Sequence, residues 1–192
     1  MRLIEDLMYQ VSGLFLPPVL ILIMLLFLYS IFALGDFLTQ YYQRRKNQNT
    51  YSESITAWQE KTKKTQNPTN INGFDLFNFA SKQQSFTEDT LSVYALKNLE
   101  TLRVVTRIAP MLGLVATMIP MGPALKSLAN GNIQGISENL IVAFSAVIFG
   151  LLVASVTFWM AAVKKRWIAN EMVDLLVIAD SLQARKKQAT KK

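Results

Sequence analysis

The chain contains no cysteine and no histidine. The first absence excludes disulfides and thiolate metal sites, and the second excludes imidazole ligands. Together they remove every nucleophile–imidazole pair, so no metal site, no cofactor and no enzyme activity is expected. Charge is also scarce. Only 17% of the 192 residues are charged while 51% are hydrophobic, a balance that points to a membrane protein. Charge is missing altogether from residues 10–35, 108–125 and 139–163. Each of these runs meets the roughly 18 to 20 residues needed to cross the hydrocarbon core. No acid lies in the middle of any of them, and Asp36, at the end of the first, reaches the headgroup region. The first run is too long for the apolar core of a signal peptide, follows Glu5 and Asp6, and has no small-x-small cleavage site, so a retained helix is expected.

The charge that is present is distributed unevenly. Of the 20 basic residues, ten fall between Arg44 and Arg107 and eight between Lys164 and Lys192, leaving Arg2 and Lys126. Lys and Arg in short flanks stay on the cytoplasmic side, which predicts an N-out, C-in topology. The same distribution marks the net charge of +7 as topogenic, so no nucleic-acid partner is expected. The expected fold is an all-α integral membrane protein with three transmembrane helices, the second and third extending into the cytoplasm. Its segments are an N-terminal amphipathic stretch (1–12), transmembrane helix 1 (13–38), a cytoplasmic loop (39–86) and a cytoplasmic part of helix 2 (87–107). Transmembrane helix 2 (108–125), an external turn (126–138), transmembrane helix 3 (139–163) and a cytoplasmic helix with a basic tail (164–192) follow.

Local signals fill in this outline. Residues 43–86 are rich in Asn, Gln, Thr and Lys and read as solvated, with a helix over 54–64, a turn at Asn67-Pro68, and an apolar knot of Phe74, Leu76, Phe77 and Phe79 that docks on helices or the membrane surface. Ser85 and Glu88 have capping-box spacing, and a helix from there through the second run covers about 39 residues, roughly 58 Å. Ser137 is placed to cap the third span, with Glu138 in its first turn. Beyond that span, Met172, Leu175, Leu176, Ala179 and Leu182 share one side of an amphipathic helix.

The second and third runs carry small residues in register. Ala109, Gly113 and Thr117 recur at intervals of four, continued by Pro120 and Ala124; Ala146, Gly150, Ala154, Thr157 and Ala161 form the matching stripe. Close approach of helices in lipid depends on such small side chains, so the two spans are expected to pack as an antiparallel hairpin and again against copies of the chain. The first run has no such stripe and expects lipid around much of its surface. The second run also holds Pro110, Pro120 and Pro123. Pro120 and Pro123 leave the carbonyls of Ala116 and Ile119 without helical donors, and Pro110, Pro120 and Pro123 are all expected as helix breaks. A freed carbonyl at membrane depth requires protein or water to satisfy it. Thr117 lies beside this break, where its hydroxyl either bonds back to the Gly113 carbonyl or serves an ion path.

The motif "APMLGLVATM", followed by a short turn and "AFSAVIFGLLVA", resembles the signature region of the MotA/TolQ/ExbB proton-channel family, and the layout resembles its ExbB and TolQ branch. The resemblance implies a homopentameric ring in the inner (cytoplasmic) membrane. In it, the second and third spans line a pore around a dimer of a single-span MotB/TolR/ExbD-like partner that brings the essential acid. Ion flow, with the proton as the expected ion, then drives mechanical work. Carried over residue by residue, the family's span-two threonine falls on Thr117, with Ala116 in place of the usual glycine before it. Its span-three threonine falls on Val147. Ser145 is the nearest hydroxyl, but a shift of two residues turns it about 200° around the helix. Thr117, Ser145 and Val147 are therefore the candidate ion-path positions. A non-conducting oligomeric membrane scaffold, suggested by the missing hydroxyl at Val147, is the alternative reading.

Overall fold

The computed structural model describes residues 2–60, 70–83 and 86–189. Among them are four helices: α1 (Arg2–Glu60), α2 (Asp75–Lys82), α3 (Glu88–Ala129) and α4 (Ile133–Ala189). α1, α3 and α4 are each long and apolar enough to cross a membrane. They contribute segments to two compact units, one formed by Met1–Leu34 with Leu102–Met160, the other by Gly35–Thr101 with Ala161–Lys192.

Helix boundaries depart from the sequence expectation in ways that hydrogen bonds explain. α1 does not end near residue 38 but continues to Glu60. The polar composition of 43–60 hides the helical spacing of Tyr51, Ile55 and Trp58, which turn inward, while Arg45, Lys46, Gln48, Asn49 and Thr50 among others are exposed. Of the helix expected over 54–64, residues 54–60 belong to α1; residues 61–64, the turn at 67–68 and the proposed cap Ser85 lie outside the described residues. α3 is instead capped by Thr87: its hydroxyl accepts from the Thr90 amide at 3.4 Å, while the Thr90 hydroxyl accepts from the Thr87 amide at 3.0 Å.

The turn expected over 126–138 shrinks to residues 130–132. α3 closes with the Asn132 amide donating to the Ser127 carbonyl at 2.9 Å and the Gly131 amide donating to the Leu128 carbonyl at 3.0 Å. This paired pattern needs a left-handed residue, supplied by Gly131 at φ +70°. Asn132 then starts α4, its side-chain oxygen accepting from the Gly135 amide at 3.0 Å. Ser137, the expected cap, lies within the helix and donates to the Ile133 carbonyl. One residue thus ends one helix and begins the next.

In the first unit, α1 presents Val19, Leu20, Ile23, Leu26 and Phe27 to α3 and α4. Phe27 meets Phe149 edge to face, with centroids 5.1 Å apart. Only 11% of the apolar window of α1 is buried, against 28% for α3 and 33% for α4. Leu14, Phe15, Leu25, Leu28 and Phe32 remain exposed, so much of the α1 surface is left for lipid.

The second unit has its own core, built around α2. Phe74, Leu76 and Phe77 are buried together with Tyr51, Ile55, Leu91, Leu175 and Ile178. The apolar knot therefore packs on helices of this unit. On α4 the inward line runs through Glu171, Leu175 and Ile178, with Leu176 only partly covered, and it belongs to one continuous helix and not to a separate C-terminal one. Arg44 organises the polar part. It pairs with buried Glu171, donates to the Gly73 carbonyl at 2.7 Å, and lies over the rings of Phe74 and Trp167. Gly73, at φ +96°, adopts a conformation closed to side chains, and a Cβ there would meet the Arg44 stem at 3.0 Å. The second oxygen of Glu171 accepts from the Phe77 amide at 3.1 Å. Burial pushes the Arg44 guanidinium down to about 10, still charged at neutral pH. Nearby, the Tyr51 hydroxyl donates to Asp174 at 2.9 Å; burial, reinforced by this bond, holds the phenol above its ordinary range.

Candidate functional site

The α3–α4 hairpin is built on two glycines. A Cβ added at Gly150 would lie 2.8 Å from the Ala109 carbonyl oxygen and 3.3 Å from the Gly113 Cα. A Cβ added at Gly113 would meet the Val147 Cα at 3.4 Å and the Ala146 carbonyl oxygen at 3.6 Å. The backbones therefore touch where the sequence places its smallest residues, the packing expected of helices that gain little from apolar burial in lipid.

The buried lines differ from the spacing of four read in the sequence. On α3 they pass through Val105, Ala109, Gly113, Ala116, Pro120 and Ala124; on α4 through Ala146, Gly150, Val153, Thr157 and Met160. Steps of four alone overshoot a helix of about 3.6 residues per turn, so contact is kept by alternating steps of three and four. Ala154 consequently sits beside the α4 line, half-buried, and Val153 takes its place. The same drift puts Ala116 in the interface and leaves Thr117 on its rim. Nor do the prolines interrupt the helix: α3 runs through Pro110, Pro120 and Pro123, and Pro120 is fully buried.

Thr117 is half-buried and donates its hydroxyl to the Leu114 carbonyl at 2.6 Å, three residues back and not to Gly113. Its oxygen retains lone pairs that can accept a proton donor arriving from outside the hairpin. Ser145 is exposed and donates to the Ile141 carbonyl at 2.8 Å. Each hydroxyl is thus satisfied within its own helix. Val147 is half-buried, with its backbone against Gly113, one turn from Thr117.

A second polar element went unremarked in the sequence. Thr106 on α3 and Thr157 on α4 lie with their hydroxyl oxygens 3.0 Å apart, and Thr157 is fully buried. The pair is anchored at both ends, since Thr106 also reaches the Leu102 carbonyl at 2.7 Å and Thr157 the Val153 carbonyl at 2.8 Å. With one proton on each oxygen, one hydroxyl donates across the interface while the other donates to its own helix. A step of four before Ala109 reaches Val105, whereas a step of three reaches Thr106, so the stripe read in fours passes it by.

The model of the MotA/TolQ/ExbB proton channel family matches residues 80–176, half of the chain, including this hairpin. The chain belongs to the MotA/TolQ/ExbB proton channel family. No curated protein and no solved structure matches it. The family is one of membrane proton channels and not of enzymes, in keeping with three helices apolar enough to span a bilayer. The matched residues run from Ala80, within α2, through all of α3 and into the second-unit part of α4 as far as Leu176.

Proposed function

We propose that this chain is the channel subunit of a membrane motor driven by an ion gradient, with the proton as the ion, and that it works with a single-span partner carrying the essential carboxylate. One observation carries the reading: a hairpin assigned to a proton channel family holds no acid within residues 108–125 or 139–163. A carboxylate at membrane depth is the usual carrier of a proton, so a second chain must bring it. Exposed apolar residues on both helices, among them Met111, Leu114 and Met118 on α3 and Phe144, Ile148 and Leu151 on α4, provide surfaces for copies of the chain and for that partner.

In this account five copies form a ring around a partner dimer in the inner membrane, N-terminus out and C-terminus in, with the distal parts of the long helices in the cytoplasm. Thr117, on the rim of the hairpin, accepts a hydrogen bond from the protonated partner carboxyl as it passes. Each proton releases about 2.3 kcal/mol per 100 mV of potential, which the complex converts into movement of the ring relative to the partner. A second reading, a non-conducting oligomeric scaffold, is favoured by Val147, where the family resemblance calls for a hydroxyl.

Substitution at the two positions tests the proposal in cells or vesicles containing the partner. Thr117→Val keeps the side-chain shape and removes only a hydroxyl, so the hairpin assembles while potential-driven work is lost. Val147→Thr restores the missing hydroxyl and raises ion flux. Full activity of the Thr117 variant would remove that residue from the path, and absence of flux in the parent chain and in both variants would favour the scaffold.

A further inference from the structure

Outside the hairpin, the second unit contains a groove of about 550 Å³ between α1 and α4. Its floor is the Arg44–Glu171 pair with Trp167 and Phe74, and its rim carries Tyr41, Arg45 and Gln48 from α1 and Arg166 and Asn170 from α4. The charges do not cancel. Arg44 is matched by Glu171, and the Asp174 carboxylate, already holding the Tyr51 hydroxyl, shares the groove with two further arginines. Neither Arg45 nor Arg166 has an ion-pair or hydrogen-bond partner among the described residues, and both are exposed. Among the residues that line the groove, three guanidinium groups stand against two carboxylates; Asp75, outside it, acts on Arg44 as well, and the local surplus lies at Arg45 and Arg166.

The position of that surplus is informative. Arg166 stands three residues beyond Val163, about 4.5 Å past the end of the third apolar run, and Arg45 stands seven beyond Leu38, about 10 Å. The headgroup layer adds roughly 5 to 8 Å on each side of the hydrocarbon core. Arg166 therefore lies within it, and the long Arg45 side chain reaches back to it. Asp174 lies eight residues beyond Arg166 on α4, about 12 Å farther from the bilayer. The end of the groove nearest the membrane is the cationic end.

We propose that this groove binds the phosphate of an anionic phospholipid headgroup. Arg45 and Arg166 grip the phosphodiester oxygens through the planar fork that guanidinium offers to phosphate. Asn170 and Gln48 donate to the glycerol oxygens, and Tyr41 and Trp167 form the amphipathic wall at which a headgroup passes into acyl chain. The lipid then bridges α1 and α4 at the membrane border. The site requires the membrane assignment but not ion transport, so it stands or falls separately from the channel reading.

The test uses the purified full chain in neutral detergent, titrated with dioctanoyl-phosphatidylglycerol, dioctanoyl-phosphatidylcholine or inorganic phosphate and read by calorimetry and native mass spectrometry. Phosphatidylglycerol is expected to bind at least tenfold more tightly than phosphatidylcholine, and R45Q/R166Q is expected to erase that preference. N170D, which adds a carboxylate without removing an arginine, weakens the same lipid. K46Q/K165Q removes equal charge from exposed lysines outside the groove and leaves binding unchanged. Elution position and helical content confirm that each variant is folded. Equal binding of the two lipids, undiminished affinity in R45Q/R166Q, or the same loss in K46Q/K165Q would overturn the site. Inorganic phosphate binding as tightly as phosphatidylglycerol would overturn the lipid as its occupant.

Discussion

Gly150→Ala and Gly113→Ala form a matched pair that isolates the hairpin contact. In both variants a helical glycine becomes alanine, with the same intrinsic gain of about 0.8 to 1 kcal/mol. Their surroundings differ. At Gly150 the new methyl would sit 2.8 Å from the Ala109 carbonyl oxygen, whereas at Gly113 its nearest neighbour is at 3.4 Å, an ordinary contact. Relieving the first clash requires the helices to part by roughly 0.6 Å, and gaps of that size forfeit a quarter to a half of the dispersion energy of the atoms involved. Overpacking of this kind costs about 1 to 3 kcal/mol. Because the propensity gain cancels between the variants, Gly150→Ala should be less stable than Gly113→Ala by about 1 to 3 kcal/mol, roughly a 5- to 150-fold difference in the folded-to-unfolded ratio. Reversible unfolding in mixed micelles, titrated with denaturing detergent and followed by circular dichroism, measures that difference directly. Equal stability of the two variants, or a larger loss at Gly113, would refute the claim that backbone contact at Gly150 sets the helix separation.

Two further perturbations address interactions that the sequence did not announce. A double-mutant cycle of Thr106→Val and Thr157→Val should return a coupling of about 0.6 kcal/mol, the usual size for hydroxyl pairs between membrane helices, measured in the same unfolding assay; zero coupling would mean that each hydroxyl is held by its own helix alone. Glu171→Gln removes the ion-pair partner of the largely covered Arg44 guanidinium and leaves only the more distant charge of Asp75. Loss of one partner of a buried pair costs about 3 to 5 kcal/mol, so limited proteolysis should cut residues 70–82 of the variant while sparing the parent chain.

The features legible in sequence were those carried by a local pattern. Three uncharged runs marked the spans, and Ala109, Gly113, Ala146 and Gly150 marked the close contact because small side chains serve few other purposes in a membrane helix. Thr117 was located by motif, but its place on the rim depends on how steps of three and four alternate along α3, which a count in fours does not capture. Tyr51, Ile55 and Trp58 kept α1 helical through a stretch whose polar composition resembles a loop. The cap at Thr87 and the double role of Asn132 depended on competition between neighbouring hydroxyl and amide groups, each placed well enough by spacing alone. Arg44 and Glu171 are distant in sequence and show no periodic relation. Only tertiary packing brings them together.

The central claim, that this chain conducts protons only together with a carboxylate supplied by a second chain, is tested most directly by proton uptake. Vesicles containing the chain and its single-span partner, given an inside-negative potassium diffusion potential and an internal pH dye, should acidify. Vesicles whose partner has its membrane Asp replaced by Asn should not. Equal acidification in both would contradict the borrowed-carboxylate mechanism, and no acidification in either would leave the hairpin as a scaffold.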